Sequence, residues 1–237
     1  MKRVFLVASL AGCASGQTNA GVSDADTSQP GIDAKEYLDG SIEGHPDARP
    51  DARPDAPPDA PPDAYVCTTH VTQLLVNPAL DLSPTTGWTQ QNIDNAYPIV
   101  GNAGLAPHSA PNKAWMGGIV APAGTNVTDQ LYQDVTIPMG TSSLVLTYQY
   151  VVGTQETGAT VYDRAYVDLL KTDGSPLESV QQLTNATTNS AWAPFTKTFT
   201  GNYSGQTVRL RFTSTNDDLN VTNFFFDTVA LTATYCQ

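Results

Sequence analysis

An all-β fold, a jelly-roll β-sandwich of about eight to ten antiparallel strands, is what this 237-residue sequence predicts for its C-terminal part, residues 66–237. Three observations carry that expectation. Apolar side chains recur at every second position, as in Leu144, Leu146, Tyr148, Tyr150 and Val152, and again in Val208, Leu210 and Phe212 against Arg209 and Arg211. Turn signals such as Pro138-Met139-Gly140, Thr172-Asp173-Gly174 and Tyr203-Ser204-Gly205 punctuate these runs. No segment sustains the 3.6-residue period of an amphipathic helix.

Taken in order, the alternation places strands near Thr72 to Val76, Gly87 to Gln91, Lys113 to Gly117 and Gln130 to Ile137. The Leu144 to Val152 strand follows, then Ala165 to Leu170, Leu177 to Leu183, Pro194 to Thr200, Val208 to Phe212 and Phe224 to Ala233. Each alternates because one face of its sheet meets a core and the other meets water. Packing two such sheets face to face buries both apolar surfaces, and a span of this size holds one core.

The remainder of the chain cannot bury a core. Residues 1–12 carry Lys2 and Arg3 ahead of an apolar run from Val4, and Leu10-Ala11-Gly12-Cys13 has the form of a bacterial lipobox. Export, with a lipid on Cys13 anchoring the chain to the outer membrane or cell surface, is the expectation; Ala14 offers no acidic signal for inner-membrane retention. Residues 13–65 are rich in Asp, Ala and Pro and end in tandem Pro-Asp-Ala repeats from Pro46. Proline at that density removes backbone donors and favours an extended, disordered spacer of about 3.1 Å per residue.

Charge separates the same regions. The net charge is −12, and residues 66–237 hold twelve acidic and six basic side chains. Clustered Lys and Arg dominate affinity for phosphate backbones, so no nucleic-acid partner is expected, and the membrane is met through the anchor alone.

With Cys13 lipidated, two cysteines remain, Cys67 and Cys236. In an oxidising compartment they are expected to pair, closing a loop whose denatured-state entropy is worth about 4 to 5 kcal/mol; the alternative is two buried thiols.

Several segments resemble galactose-binding-like jelly rolls, the fold of many carbohydrate-binding modules. Asn77-Pro78-Ala79-Leu80-Asp81 followed by Gly87-Trp88 is similar to the family's opening strand, and His108 to Gly117 resembles its next segment. Phe224-Phe225-Phe226-Asp227-Thr228-Val229 is similar to its closing strand, and Asp129 to Val135 with Gln206 to Phe212 extends the likeness. Leu80 stands where the family usually has Phe, and Thr228 where it has a second Asp. The resemblance implies a non-catalytic module and a structural calcium ion on Asp81 and Asp227, with carbonyls of residues 110–113 nearby. Asp227 is also reached from strand parity, which puts its carboxylate on the face of Phe225, Val229 and Leu231, where an unpaired charge is costly; the alternative is a carboxylate satisfied by backbone amides or an arginine.

Enzymatic constellations are missing from the motif record. His45 lies in the spacer, and His70 and His108 sit beside no Gly-x-Ser-x-Gly, His-Glu-x-x-His or Cys-His pattern. Asp217-Asp218 reads as an exposed turn, where no burial would raise a pKa for acid catalysis. Candidate ligand contacts are Glu156, Tyr162 and Asp163 on a glycine-flanked loop, Trp192 beside Pro194, and Arg209 and Arg211 on the polar side of their strand. Trp88 and Trp115 fit a core. The expected partner is a polysaccharide or glycan; the rival is a surface protein held by an adhesin-like or structural module that uses calcium for rigidity.

Overall fold

A computed structural model describes residues 66–92 and 97–237. The leader with Cys13 and the spacer lie outside the described residues. Eleven strands and no helix occur among the described residues: β1 (Thr69–Gln73), β2 (Thr89–Gln91), β3 (Val100–Gly101), β4 (Lys113–Gly117), β5 (Val127–Thr136), β6 (Thr141–Thr154), β7 (Arg164–Lys171), β8 (Pro176–Thr184), β9 (Ala193–Thr198), β10 (Thr207–Asn216) and β11 (Thr222–Cys236).

Two antiparallel sheets form a jelly-roll β-sandwich. One sheet runs β3-β4-β11-β6-β9, with β1 also on β11; the other runs β2-β5-β10-β7-β8. The alternating residues meet between them. Leu144, Leu146 and Tyr148 of β6 and Phe224, Phe226, Val229 and Leu231 of β11 face Leu131 of β5, Val167 and Leu169 of β7 and Val208, Leu210 and Phe212 of β10, all buried. Phe212 bridges the sheets, lying 4.7 Å from the ring of Phe226, 5.6 Å from Tyr148 and 6.2 Å from Trp88.

Most expected strands are present with longer ends. The first is displaced, to Thr69–Gln73, because its pairing with Thr232 to Cys236 of β11 decides its extent more than its mostly exposed side chains do. The two-residue β3 has no sequence signal, since too few residues are involved to show a period. Cys67 and Cys236 are disulfide-bonded, with Cα atoms 5.4 Å apart across a separation of 169 residues, joining the chain before β1 to the end of β11.

One parity expectation changes. Phe225 and Asp227 lie on the outer side of their sheet, but a bulge follows Asp227, and Val229 and Leu231 turn inward to the core. Thr228 makes the bulge at a φ of 53°, a left-handed conformation unusual for a β-branched residue.

Candidate functional site

Three places bring the candidate residues together. The open side of the five-stranded sheet is the first. On β10, Arg209 and Arg211 alternate with buried Val208, Leu210 and Phe212, so both guanidinium groups reach the outer face. Register places Arg211 opposite Tyr132 of β5 on one side and Asp168 of β7 on the other. Arg209 donates from Nε to Asp134 Oδ1 at 2.7 Å and from Nη2 to Asp134 Oδ2 at 2.9 Å, and its guanidinium stacks 4.1 Å above the Tyr132 ring. That pair is partly exposed and contributes about 1 kcal/mol or less to stability; its effect is to hold the arginine flat.

Arg211 is differently placed. Its Nε is buried and has no protein acceptor, leaving a donor to be met by water or ligand. Across from it, burial pushes the Asp168 carboxyl above the usual carboxylate range, against the hydrogen bond from Ser179 and the Arg211 charge. Tyr166, opposite Thr213, adds a second half-buried ring to this face. A donor, an acceptor and aromatic faces on one open sheet are the groups that recognise a polyhydroxylated ring. Tyr132, Tyr166, Asp134 and Asp168 are the members that sequence reading missed, although the period-2 pattern of β5 and β7 places them on this face.

Elsewhere in the same sheet, burial also raises the Asp129 carboxyl, against hydrogen bonds from the Gly117 amide and the Tyr97 hydroxyl. A raised folded-state pKa means the folded protein takes up protons first as pH falls. The Asp129 and Asp168 contributions to stability are therefore complete below the unfolded value near pH 4 and are lost as pH rises through the folded values. In chelator, the melting temperature is expected to rise as pH is lowered from 7.5 to 5. A steady fall over that range in a thermal melt would contradict this account.

The second place is the covered outer face of the other sheet, where residues 108–113 bring Asp81 and Asp227 together. Ser109 bridges them: its Oγ donates to Asp81 Oδ2 at 2.9 Å and its amide to Asp227 Oδ2 at 2.8 Å. The amides of Asn112 and Thr228 donate to Asp81 Oδ1 and Asp227 Oδ1 at 3.3 and 2.6 Å. Asp227 is fully buried, and burial raises its pKa above the usual range, with the Asp81 charge adding and the Ser109, Thr228 and His108 amides opposing. Lys113, also buried, donates to the Ala103 carbonyl; desolvation lowers its pKa, and the Asp227 charge partly opposes that shift. Among the described residues no ion pair closes on either carboxylate, so their oxygens are met by amide and hydroxyl donors and, at longer range, by the Lys113 charge. Since a carboxylate has about four acceptor sites, the pair retains oxygen lone pairs of the type a hard cation takes.

Trp192 borders this region. It is half-buried, with its Nε1 donating to the Ala106 carbonyl at 3.2 Å and its ring 5.9 Å edge-on from His108. Trp115 lies on the same outer face, bonded through Nε1 to Asn223 Oδ1 at 2.8 Å, and forms one wall of a largely apolar cleft of about 320 Å³ with Tyr97, Ile99, Ala103 and Ile119.

The third place is one end of the sandwich, where Glu156, Tyr162 and Asp163 are found. Tyr162 is exposed, Glu156 half-buried and Asp163 fully buried. Asn185 Oδ1 accepts the amides of Tyr162 at 3.0 Å and Asp163 at 3.2 Å, fixing the backbone that presents Asp163.

No protein-family model matches the chain, and no curated protein matches it. Solved structures resemble it at low identity. The adhesin domain K3 of Lys-gingipain from Porphyromonas gingivalis is 12% identical, with a TM-score of 0.46 over 69% of this chain and 99% of that one. TmCBM61, solved with β-1,4-galactotriose, is 14% identical, with a TM-score of 0.45 over 68% and 97%. The enzymatically active domain of bacteriophage CBA120 tailspike protein 4 is 10% identical with a TM-score of 0.44 over 67% of this chain, which spans 21% of that structure.

Proposed function

We propose that this protein is an exported, lipid-anchored, non-catalytic binding protein whose β-sandwich recognises carbohydrate on the open face of its five-stranded sheet. The observation that carries the reading is Arg211: a buried guanidinium Nε without a protein acceptor, set between Tyr132 and Asp168 on an uncovered sheet. Arg209, locked by Asp134, continues the face as a rigid planar surface. In this reading Cys13 carries the lipid and residues 13–65 hold the domain away from the membrane.

The test is a glycan and polysaccharide array probed with the chain carrying Cys13→Ser, which stays free of lipid, with and without calcium. Binding is expected, and Arg211→Ala is expected to weaken it about 10- to 100-fold, the range for losing hydrogen bonds to a charged group. A blank array with folded protein, or a hit unaffected by Arg211→Ala, rejects the site. The apolar cleft beside Trp115 favours a second reading, an adhesin-like or structural module that contacts a surface protein. A blank array together with capture of a surface protein would select it.

Calcium at Asp81 and Asp227 belongs to the same proposal. The donor type fits, and the ion's role would be structural, offsetting the charge left uncompensated beside Lys113. At a calcium concentration about 100 times its Kd, stabilisation of about 2.7 kcal/mol is expected over chelated protein. An unchanged melting temperature on calcium addition removes this part.

A further inference from the structure

The third place carries a feature that neither the glycan face nor the Asp81 and Asp227 pair uses. At one end of the sandwich the inner faces of both sheets turn from apolar to polar. On β10 the inward run Val208, Leu210, Phe212 continues as Ser214 and Asn216, both fully buried. Beside it, Asp163 precedes β7 and keeps the inward parity of Ala165, Val167 and Leu169. Facing them, Thr222 of β11 pairs with Thr154 of β6, and Glu156 follows two residues later. Four side-chain oxygens from these segments are buried and unpartnered: Asp163 Oδ2, Glu156 Oε1, Asn216 Oδ1 and Ser214 Oγ.

Hydrogen bonds tie the segments to one spot. Asp163 Oδ1 accepts the amide of Asp217, next to Asn216, at 2.9 Å. Asn216 Nδ2 donates to the Thr222 carbonyl at 2.8 Å, which joins the two sheets there. Thr222 and Thr154 hydroxyls lie 2.7 Å apart, and the Thr154 hydroxyl accepts the Glu156 amide at 3.0 Å. Glu156 Oε2 accepts from Asn220 Nδ2 at 3.4 Å, closing the 217–221 turn over the end. An added Cβ on Gly117 would lie 2.5 Å from both Asn216 Oδ1 and the Thr222 carbonyl oxygen, so the backbone itself packs against this cluster.

Charge is the unresolved quantity. Among the described residues the ion pairs are Lys197 with Glu178 and Arg209 with Asp134, so neither Asp163 nor Glu156 has a cationic partner. A fully buried carboxylate without one is costly, and buried charges are met by a counter-charge or a metal. All the free donors are oxygens, and none is sulfur or imidazole. Two carboxylates, an amide oxygen and a hydroxyl are the set a hard divalent cation takes, with water completing six to eight ligands.

We infer that the end of the sandwich closed by residues 217–221 is a cation site of calcium type, in which Asp163 and Glu156 supply the charge and Asn216 and Ser214 neutral oxygens. The ion would clamp the two sheets at an end where apolar packing stops. This inference rests on Asp163 and Glu156 and stands apart from the reading of Asp81 and Asp227.

The experiment loads the Cys13→Ser chain with calcium, removes free ion, and counts bound metal by native mass spectrometry, with terbium luminescence titration for affinity. Glu156→Gln and Asp163→Asn are made singly, with Asp81→Asn/Asp227→Asn for comparison. Glu156 is half-buried at a turn, so its amide variant keeps the fold even if Asp163→Asn does not. Loss of one metal equivalent, or at least tenfold weaker terbium binding, in Glu156→Gln with the other site unchanged is the expected result. If Asp81→Asn/Asp227→Asn leaves the metal count intact while Glu156→Gln lowers it, the inference stands and the earlier calcium reading falls. Metal content or affinity that is the same in wild type and Glu156→Gln, including no bound metal in either, overturns the inference and assigns the end to ordered water.

Discussion

Replacing both Cys67 and Cys236 by serine is expected to lower the melting temperature by roughly 10 to 20 °C, the shift that about 4 to 5 kcal/mol produces in a domain of this size. The bridge closes a 169-residue separation, so its loss releases much denatured-state entropy. It also fastens a weak element. β1 has mostly exposed side chains and holds to β11 by edge pairing, with the amides of Thr68 and Gln237 exchanging hydrogen bonds beyond its end. Thermal melts of the double variant measure the global cost, and amide exchange in β1 measures the local one. A shift below about 3 °C would mean that the bridge fastens β1 without stabilising the rest.

Phe212→Ala is expected to cost about 3 to 5 kcal/mol, the range for removing a buried ring and leaving the cavity unfilled. Phe212 is fully buried and touches aromatic rings from three other segments, Trp88, Tyr148 and Phe226, so no single neighbour can move to close the gap. Arg209 and Arg211 precede it on β10 and face the opposite side of the sheet. Glycan affinity per folded molecule is expected to change less than stability does. Chemical denaturation and array binding at a temperature below the transition separate the two quantities. A stability loss under 1 kcal/mol would show that the core repacks freely around this position.

Fold and site were legible to different depths. Strands such as β5, β6, β7 and β10 are long enough to display period 2, and the burial that causes the period is what the structure contains. β3 is too short for a pattern, and β1 takes its limits from a partner more than 150 residues away. On the open sheet, the polar parity of Arg209 and Arg211 was readable, while their neighbours Tyr132, Asp134, Tyr166 and Asp168 belong to strands whose register against β10 is a matter of pairing. At the sandwich end, Glu156 and Asp163 read as residues of one loop; the structure adds Ser214 and Asn216 from β10, which local pattern reads only as the polar tail of a strand.

By itself the sequence determined the secondary-structure class and the apolar face of the long strands, because alternation acts locally. Tertiary structure alone decided which carboxylates are stripped of water and what meets them. Asp227 is parted from Val229 and Leu231 because a bulge at Thr228 turns those two inward, and it is buried because residues 108–113 cross over it. Asp163 is buried where the Asp217 amide and the Asn185 side chain close over it. Desolvation depends on what the rest of the chain places around a group, and that is a property of packing and register, to which a local pattern of residues has no access.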